Sequence, residues 1–166
     1  MSLGEFELIE RYFSRQGRGH GLTLGIGDDC ALISGGSRYL SACASWRHAK
    51  SHSEQSIATV EADGDLAATE LFTAARERLE QLSGEPHWAF LALTMPGHNE
   101  RFLESFAASL MHSLRRADCA LAGGDTTRGP LSADLFLIGT PKLQRSELAE
   151  FGASLHDPMK HTSHHD

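Results

Sequence analysis

The chain has 166 residues, with 15 lysines and arginines against 22 aspartates and glutamates and a formal net charge of −7. This length predicts one domain with a substantial core, and the acidic balance argues against binding to nucleic acids or anionic membranes. No apolar run approaches the ~20 residues that cross a bilayer, and the acidic start "MSLGEFELIERYF" is unlike a signal peptide. We therefore expect a cytoplasmic protein with neither nucleic acid nor membrane as a partner.

The cysteine pattern excludes two small-domain classes. Cys30, Cys43 and Cys119 are odd in number and have no CxxC spacing. This argues against a disulfide framework and against a zinc ribbon, and it predicts reduced thiols.

The first half of the chain predicts one helix and two strands. A short amphipathic helix near the start is indicated by three apolar residues at helical spacing: Phe6, Ile9 and Phe13. The stretches "LTLGIGDDCALI" (22–33) and "RYLSACAS" (38–45) are typical of strands, and the "SGGS" between them favours a β-hairpin. Residues 44–64 are polar and weakly patterned, so we predict a loop there.

The second half predicts two helices and three strands. A helix over 65–82, ended by Gly84 and Pro86, is followed by the apolar strand "HWAFLALT". Asn99 is a typical cap for a second helix. Two further short strands, "CALAGG" and "SADLFLIGT", flank a glycine-rich motif.

This order of elements predicts an α+β fold, with a mixed or antiparallel sheet and helices packed on one face. Residues 1–153 are expected to form the single domain. The His-rich tail 154–166 is expected to lack structure and a defined metal site.

The motif "LAGGDTTRGP" (121–130) has two interpretations. An acidic residue after two glycines can hold Mg²⁺, while glycine amides and the groups of Thr126, Thr127 and Arg128 can contact a phosphate. The alternative is a tight turn in which Asp125 and Thr126 serve as local caps. The motif is not a Walker A loop, because it lacks the GKS or GKT sequence.

A second glycine–acid stretch, "GIGDDC" (25–30), strengthens the metal interpretation. Alone, it would more often be a turn. A single Mg²⁺ seldom has an all-protein cage, so carboxylates from separate turns are expected to converge around phosphate-bound ions.

Four stretches closely resemble the N-terminal half of thiamine-monophosphate kinases: "GEFELIERYF" (4–13), "LGIGDDCALI" (24–33), "WAFLALTMP" (88–96) and "LAGGDTTRGPLS" (121–132). The resemblance implies the fold of the aminoimidazole ribonucleotide synthetase superfamily, whose N-terminal α+β domain forms homodimers. It also implies Mg²⁺ and ATP as cofactors and phosphoryl transfer from ATP to thiamine monophosphate.

The same resemblance implies site residues. It implies that ATP is bound by Gly124, Asp125, Thr126 and, past the last strand, Arg145. It also implies that the metal ions are bound by Asp29, Ser41, Asp65 and Asp125. Asp65 begins a "DLAA" run like that of the family, although Thr69 and Glu70 then depart from the family pattern.

Two departures bear on activity. Where the family has Ser-Thr-Asp at the end of its second strand, this chain has Ser41, Ala42 and Cys43, so a metal-binding carboxylate is missing. A neutral thiol is a poor Mg²⁺ ligand, and its presence is expected to weaken metal binding and positioning of the γ-phosphate. The 166 residues also have no counterpart of the family's C-terminal domain.

Two functions are therefore open. The first is a truncated, degenerate kinase-like protein that binds Mg-ATP, with thiamine monophosphate as a further ligand. The second is a non-catalytic nucleotide-binding or dimerisation module of the same superfamily. Cys43 and the missing second domain favour the second function.

Overall fold

The computed structural model describes residues 5–13, 22–24, 32–33, 39–48, 62–97 and 99–142. The helices are α1 (Glu5–Tyr12), α2 (Gly64–Gln81) and α3 (Glu100–Arg116). The strands are β1 (Leu22–Leu24), β2 (Leu32–Ile33), β3 (Leu40–Arg47), β4 (Gly84–Met95), β5 (Ala120–Arg128) and β6 (Ser132–Pro141).

The main sheet has four strands in the order β3-β6-β4-β5. β4 and β5 are parallel, whereas β6 is antiparallel to both β3 and β4. The mixed sheet and the helices confirm the predicted α+β class. None of the described helices has the length and apolar character needed to span a bilayer.

The predicted hairpin between 22–33 and 38–45 is wrong. β1 and β2 pair with each other within the first stretch, and β3 pairs along all its eight residues with β6. Ala42 and Ala44 alternate with outward-facing residues and are buried, as are Leu135 and Leu137 on β6. Matching apolar faces, which must share one core, thus override the local turn signal.

α2 forms where the sequence predicts it. Asp63 caps the helix, and its carboxylate accepts hydrogen bonds from the backbone N–H groups of Asp65 and Leu66. The helix ends at Gln81, one residue before the predicted end, and the chain reverses at Ser83, whose φ is 55°, rather than at Gly84 or Pro86. Gly84 already belongs to β4.

α3 also begins at its predicted cap. The side chain of Asn99 accepts a 3.1 Å hydrogen bond from the backbone N–H of Phe102. Both long helices bury apolar residues against one face of the sheet, and this cluster forms the core. Its members include Leu71, Ala75, Leu79, Leu103, Phe106, Leu110, Leu91, Leu93, Leu135 and Leu137.

The opposite face of the main sheet, which we call the open face, carries exposed and half-buried side chains. From β3 and β6 these are Ser41, Cys43, Ser45, Arg47, Ser132, Asp134, Phe136 and Ile138; from β4 and β5 they are Phe90, Ala92, Thr94, Asp125 and Thr127. Phe136 is 44% exposed. The open face is polar toward the carboxyl ends of β3, β4 and β5 and apolar around Phe90 and Phe136.

A charged cluster joins β3 to β6 on the open face. The Arg47 guanidinium donates to both carboxylate oxygens of Asp134, at 2.9 and 3.1 Å, and the Ser45 hydroxyl donates to one of them. Partial burial pushes the pKa of Asp134 upward, but these hydrogen bonds and the Arg47 charge outweigh it and hold the pKa below its ordinary value. The ionised carboxylate therefore stabilises the fold.

Replacing Gly139 by alanine should destabilise the fold by about 2 kcal/mol or more, because overpacking against backbone forces the strands apart. A Cβ at this position would lie 1.8 Å from the carbonyl oxygen of Glu85. The measurement is urea unfolding of the Gly139→Ala variant. Gly97→Ala is the matched control, because a Cβ there meets nothing within 4 Å; equal effects of the two variants would contradict the β4–β6 packing.

Asp134→Asn should lower the free energy of unfolding at pH 7 by up to about 1 kcal/mol. A carboxyl group with a depressed folded pKa adds stability above its unfolded pKa and loses it as the pH falls through the folded value. The difference between parent and variant should therefore shrink below pH ~4. Urea unfolding at several pH values checks this, and a constant difference would show that the Asp134 charge contributes nothing.

Candidate functional site

The motif "GGDTTR" lies within a strand, so the alternative interpretation as a tight turn is wrong. β5 continues through the motif at the edge of the sheet, and its register with β4 runs on to Met95 and Arg128. The N–H of Gly129 then donates a 3.0 Å hydrogen bond to the carbonyl of Met95. Pairing with a buried neighbour keeps the polar motif extended.

Gly124 is explained by the packing of β5 on β4. Its φ is 156°, and a Cβ there would lie 1.9 Å from the carbonyl oxygen of Leu91. The predicted close approach to a phosphate is not needed to account for this glycine. Because β5 is an edge strand, its outer backbone N–H groups have no partner strand in the described residues, and they can donate to an anion.

Asp125 projects from the open face and is exposed. One of its carboxylate oxygens accepts a 2.8 Å hydrogen bond from the N–H of Thr126. Two residues along, the hydroxyl groups of Thr127 and Thr94 lie 2.9 Å apart. This end of β5 thus offers one carboxylate and a hydroxyl pair to solvent. Thr126 is half-buried.

The other predicted metal-site residues lie apart from Asp125. Asp65 is in the first turn of α2, within the helix layer, where its carbonyl oxygen is 3.4 Å from the Ser109 hydroxyl. Ser41 is on β3, the opposite edge of the sheet, so at least three strand spacings, or about 14 Å, separate it from Asp125. Within the described residues, no group of three or more His, Cys, Asp or Glu side chains could hold a metal ion. Asp29 and Arg145 lie outside the described residues.

Cys43, which stands where the resemblance implies a metal ligand, is part of a charged corner. We call Cys43, Arg47, Arg78 and Asp134 the β3 corner. The Arg78 guanidinium reaches from α2 and donates a hydrogen bond to the carbonyl oxygen of Cys43. Burial raises the pKa of the Cys43 thiol, and the Asp134 charge adds to this effect, while Arg78 and Arg47 oppose it. The thiol is therefore neutral at pH 7.

Asp134 and Arg78 were not among the residues predicted from the sequence. Asp134 could have been suspected, because it is the one acidic residue in the alternating apolar strand "SADLFLIGT". Arg78 carries no such signal. In the sequence it resembles any exposed charged residue of a helix, and only the packing of α2 beside β3 brings it to Cys43.

Magnesium suits one of these two places and not the other. Mg²⁺ is commonly bound by one or two carboxylates plus the phosphates of a substrate, and the exposed Asp125 can provide one. The β3 corner combines a neutral thiol and one carboxylate with two guanidinium groups, and this excess of positive charge disfavours a divalent cation.

Comparisons with known proteins agree with this fold. The family described as AIR synthase related protein, N-terminal domain, matches residues 27–140. The thiamine-monophosphate kinase of Haemophilus influenzae is 37% identical over 140 residues, which cover 84% of this chain and 42% of that enzyme. The chain thus spans less than half the length of this relative.

Solved structures match the same share of this chain. The thiamine-monophosphate kinase of Stenotrophomonas maltophilia K279a is 29% identical, with a TM-score of 0.62 over 84% of this chain and 43% of its own. A structure of AaThiL complexed with AMPPCP and TMP is 20% identical, with a TM-score of 0.52 over 84% and 43%. The second likeness concerns the fold alone. Since the family match takes in most of the residues, the chain belongs to the AIR synthase related proteins and contains their N-terminal domain.

Proposed function

We propose that the chain is a thiamine-monophosphate kinase-like protein that binds Mg-ATP along β5. The observation that carries this proposal is the exposed Asp125 carboxylate on an edge strand, in a chain whose sequence relatives are thiamine-monophosphate kinases. The AaThiL structure, which shares the fold, holds AMPPCP and TMP. We extend the corresponding ligands, a nucleotide and thiamine monophosphate, to this chain as a proposal.

The parts of this site have distinct roles. Asp125 holds Mg²⁺, the ion offsets negative charge on the ATP phosphates, and the backbone of Gly124 and Thr126 lies alongside them. Asp29 and Arg145 remain predicted members of the site. Asp65 and Ser41 do not lie beside Asp125 within one copy of the chain, so they do not share its ion there.

The second candidate is a non-catalytic nucleotide-binding or dimerisation module. Cys43 favours it, because losing a metal ligand that aligns the phosphates lowers the rate of phosphoryl transfer steeply. The discriminating experiment is conversion of thiamine monophosphate to the diphosphate by the purified chain with Mg-ATP. Nucleotide binding without conversion supports the module, and robust conversion supports the kinase.

We also propose a homodimer and a cytoplasmic location. The homodimer is supported by the open face, whose exposed Phe136 and half-buried Phe90 form an apolar patch. The location is proposed from the composition of the chain.

Asp125→Asn should weaken Mg-dependent ATP binding at least about tenfold, equivalent to about 1.4 kcal/mol, because it removes a charged metal ligand. Isothermal titration with ATP and Mg²⁺ measures the change. Asp118→Asn is the matched control, since Asp118 is also an exposed aspartate but precedes the opposite end of β5. Unchanged binding by the Asp125 variant would reject the β5 site.

Phe136→Ser should weaken self-association in sedimentation velocity experiments, because Phe136 is 44% exposed on the open face. Leu66→Ser is the matched control, since Leu66 is 55% exposed but belongs to the helix layer. A parent protein that is monomeric at micromolar concentration would contradict the homodimer. Equal effects of the two variants would place the interface elsewhere.

A further inference from the structure

The β3 corner carries one more positive than negative charge, although the whole chain has a formal net charge of −7. The guanidinium groups of Arg47 and Arg78 both act on the Cys43 thiol, and Asp134 is the opposing carboxylate. A carboxylate at position 43 would have brought the corner to neutrality. With a neutral thiol instead, the corner attracts anions and disfavours divalent cations.

The two arginines of the corner are not equally available. Arg47 directs its hydrogen bonds to Asp134 and to the carbonyl oxygens of Trp46 and Ala133, at 3.0 and 3.2 Å. Arg78 is exposed and donates to the Cys43 carbonyl through one nitrogen, Nη1. A guanidinium has five N–H donors in a planar fork that matches phosphate geometry, so Arg78 retains donors for a ligand.

Resting on the proposed nucleotide-binding function, we propose that Arg78 binds a phosphate group of the ligand directly, without a divalent cation at the β3 corner. The guanidinium then supplies the positive charge that a metal ion would supply beside a carboxylate. The phosphate belongs either to ATP or to thiamine monophosphate, and both are tested below. β3 and β5 are opposite edges of the sheet, so the carbonyl group that Arg78 contacts and Asp125 lie on different edges.

The test is titration of the parent and of Arg78→Gln with ATP and, separately, with thiamine monophosphate, each in EDTA and in Mg²⁺. Glutamine removes the charge but keeps a polar amide N–H group. In EDTA, we expect the parent to bind one of the two ligands and Arg78→Gln to bind it at least about tenfold more weakly, as for loss of a charged hydrogen bond. If the ligand is ATP, the loss should be smaller in Mg²⁺, because the ion also neutralises phosphate charge.

Two further variants separate binding from structure. Arg76→Gln removes a positive charge from the same helix, where Arg76 pairs with Glu80 at 2.8 Å, and it should bind like the parent. Arg78→Lys keeps the charge but loses the planar fork, so its affinity should lie between those of the parent and Arg78→Gln. If lysine and glutamine at position 78 cause equal losses, the role of Arg78 is to cap the edge of β3, and the proposal is overturned.

Three further results of these titrations would also count against the proposal. Equal affinities of the parent and Arg78→Gln for both ligands would overturn the proposal while leaving the β5 site intact. Binding by the parent only when Mg²⁺ is present would do the same, because the corner would then need a metal ion. Binding of neither ligand under any condition would remove the proposed function, and this inference with it.

Discussion

Burial of a single face of the main sheet beneath α2 and α3 is the constraint on which the other features depend. Leu91, Leu93, Leu135 and Leu137 alternate along β4 and β6 and are at most 5% exposed. Because side chains of a strand point alternately to its two faces, this burial also fixes which residues lie on the open face. Asp134 projects outward because its neighbours in sequence, Ala133 and Leu135, are buried in the core. Asp125 lies on the same face because β5 pairs it with Ala92 of β4.

The same constraint separates the chemistry into two places. β3 and β5 are the edge strands, and each carries polar residues toward the carboxyl end of β4. Asp125 on β5 is a single exposed carboxylate suited to a metal-bound phosphate. The β3 corner is crowded by guanidinium groups instead. The described residues therefore contain no single cluster of carboxylates that could form one metal site.

Much of the fold could be predicted from the sequence, because α2, α3 and β4 have strong local patterns and Asn99 is a clear cap. The partner of β3 could not be predicted in this way. Pairing with β6 joins residues about ninety positions apart, and no local turn encodes it. The strand conformation of "GGDTTR" was missed for a related reason. Its glycines are typical of turns. In the structure, however, a glycine is needed at position 124 because a Cβ there would clash with the carbonyl oxygen of Leu91 on β4.

The candidate site was predictable only in part. Asp125 stands out as an acid after two glycines, and the structure places it on the surface. The position of Asp65 could not be judged, because a "DLAA" run says nothing about which end of α2 approaches β3. Arg78, about 20 Å along the helix from Asp65, is the residue that reaches Cys43.

The most direct test of the account is backbone amide NMR of the chain during titration with AMPPCP and Mg²⁺. If β5 binds the nucleotide, the largest chemical-shift changes should fall on residues 123–127, and they should saturate with one binding curve. Unchanged signals for residues 123–127, together with saturable changes elsewhere in the chain, would contradict the assignment of β5 as the nucleotide-binding strand.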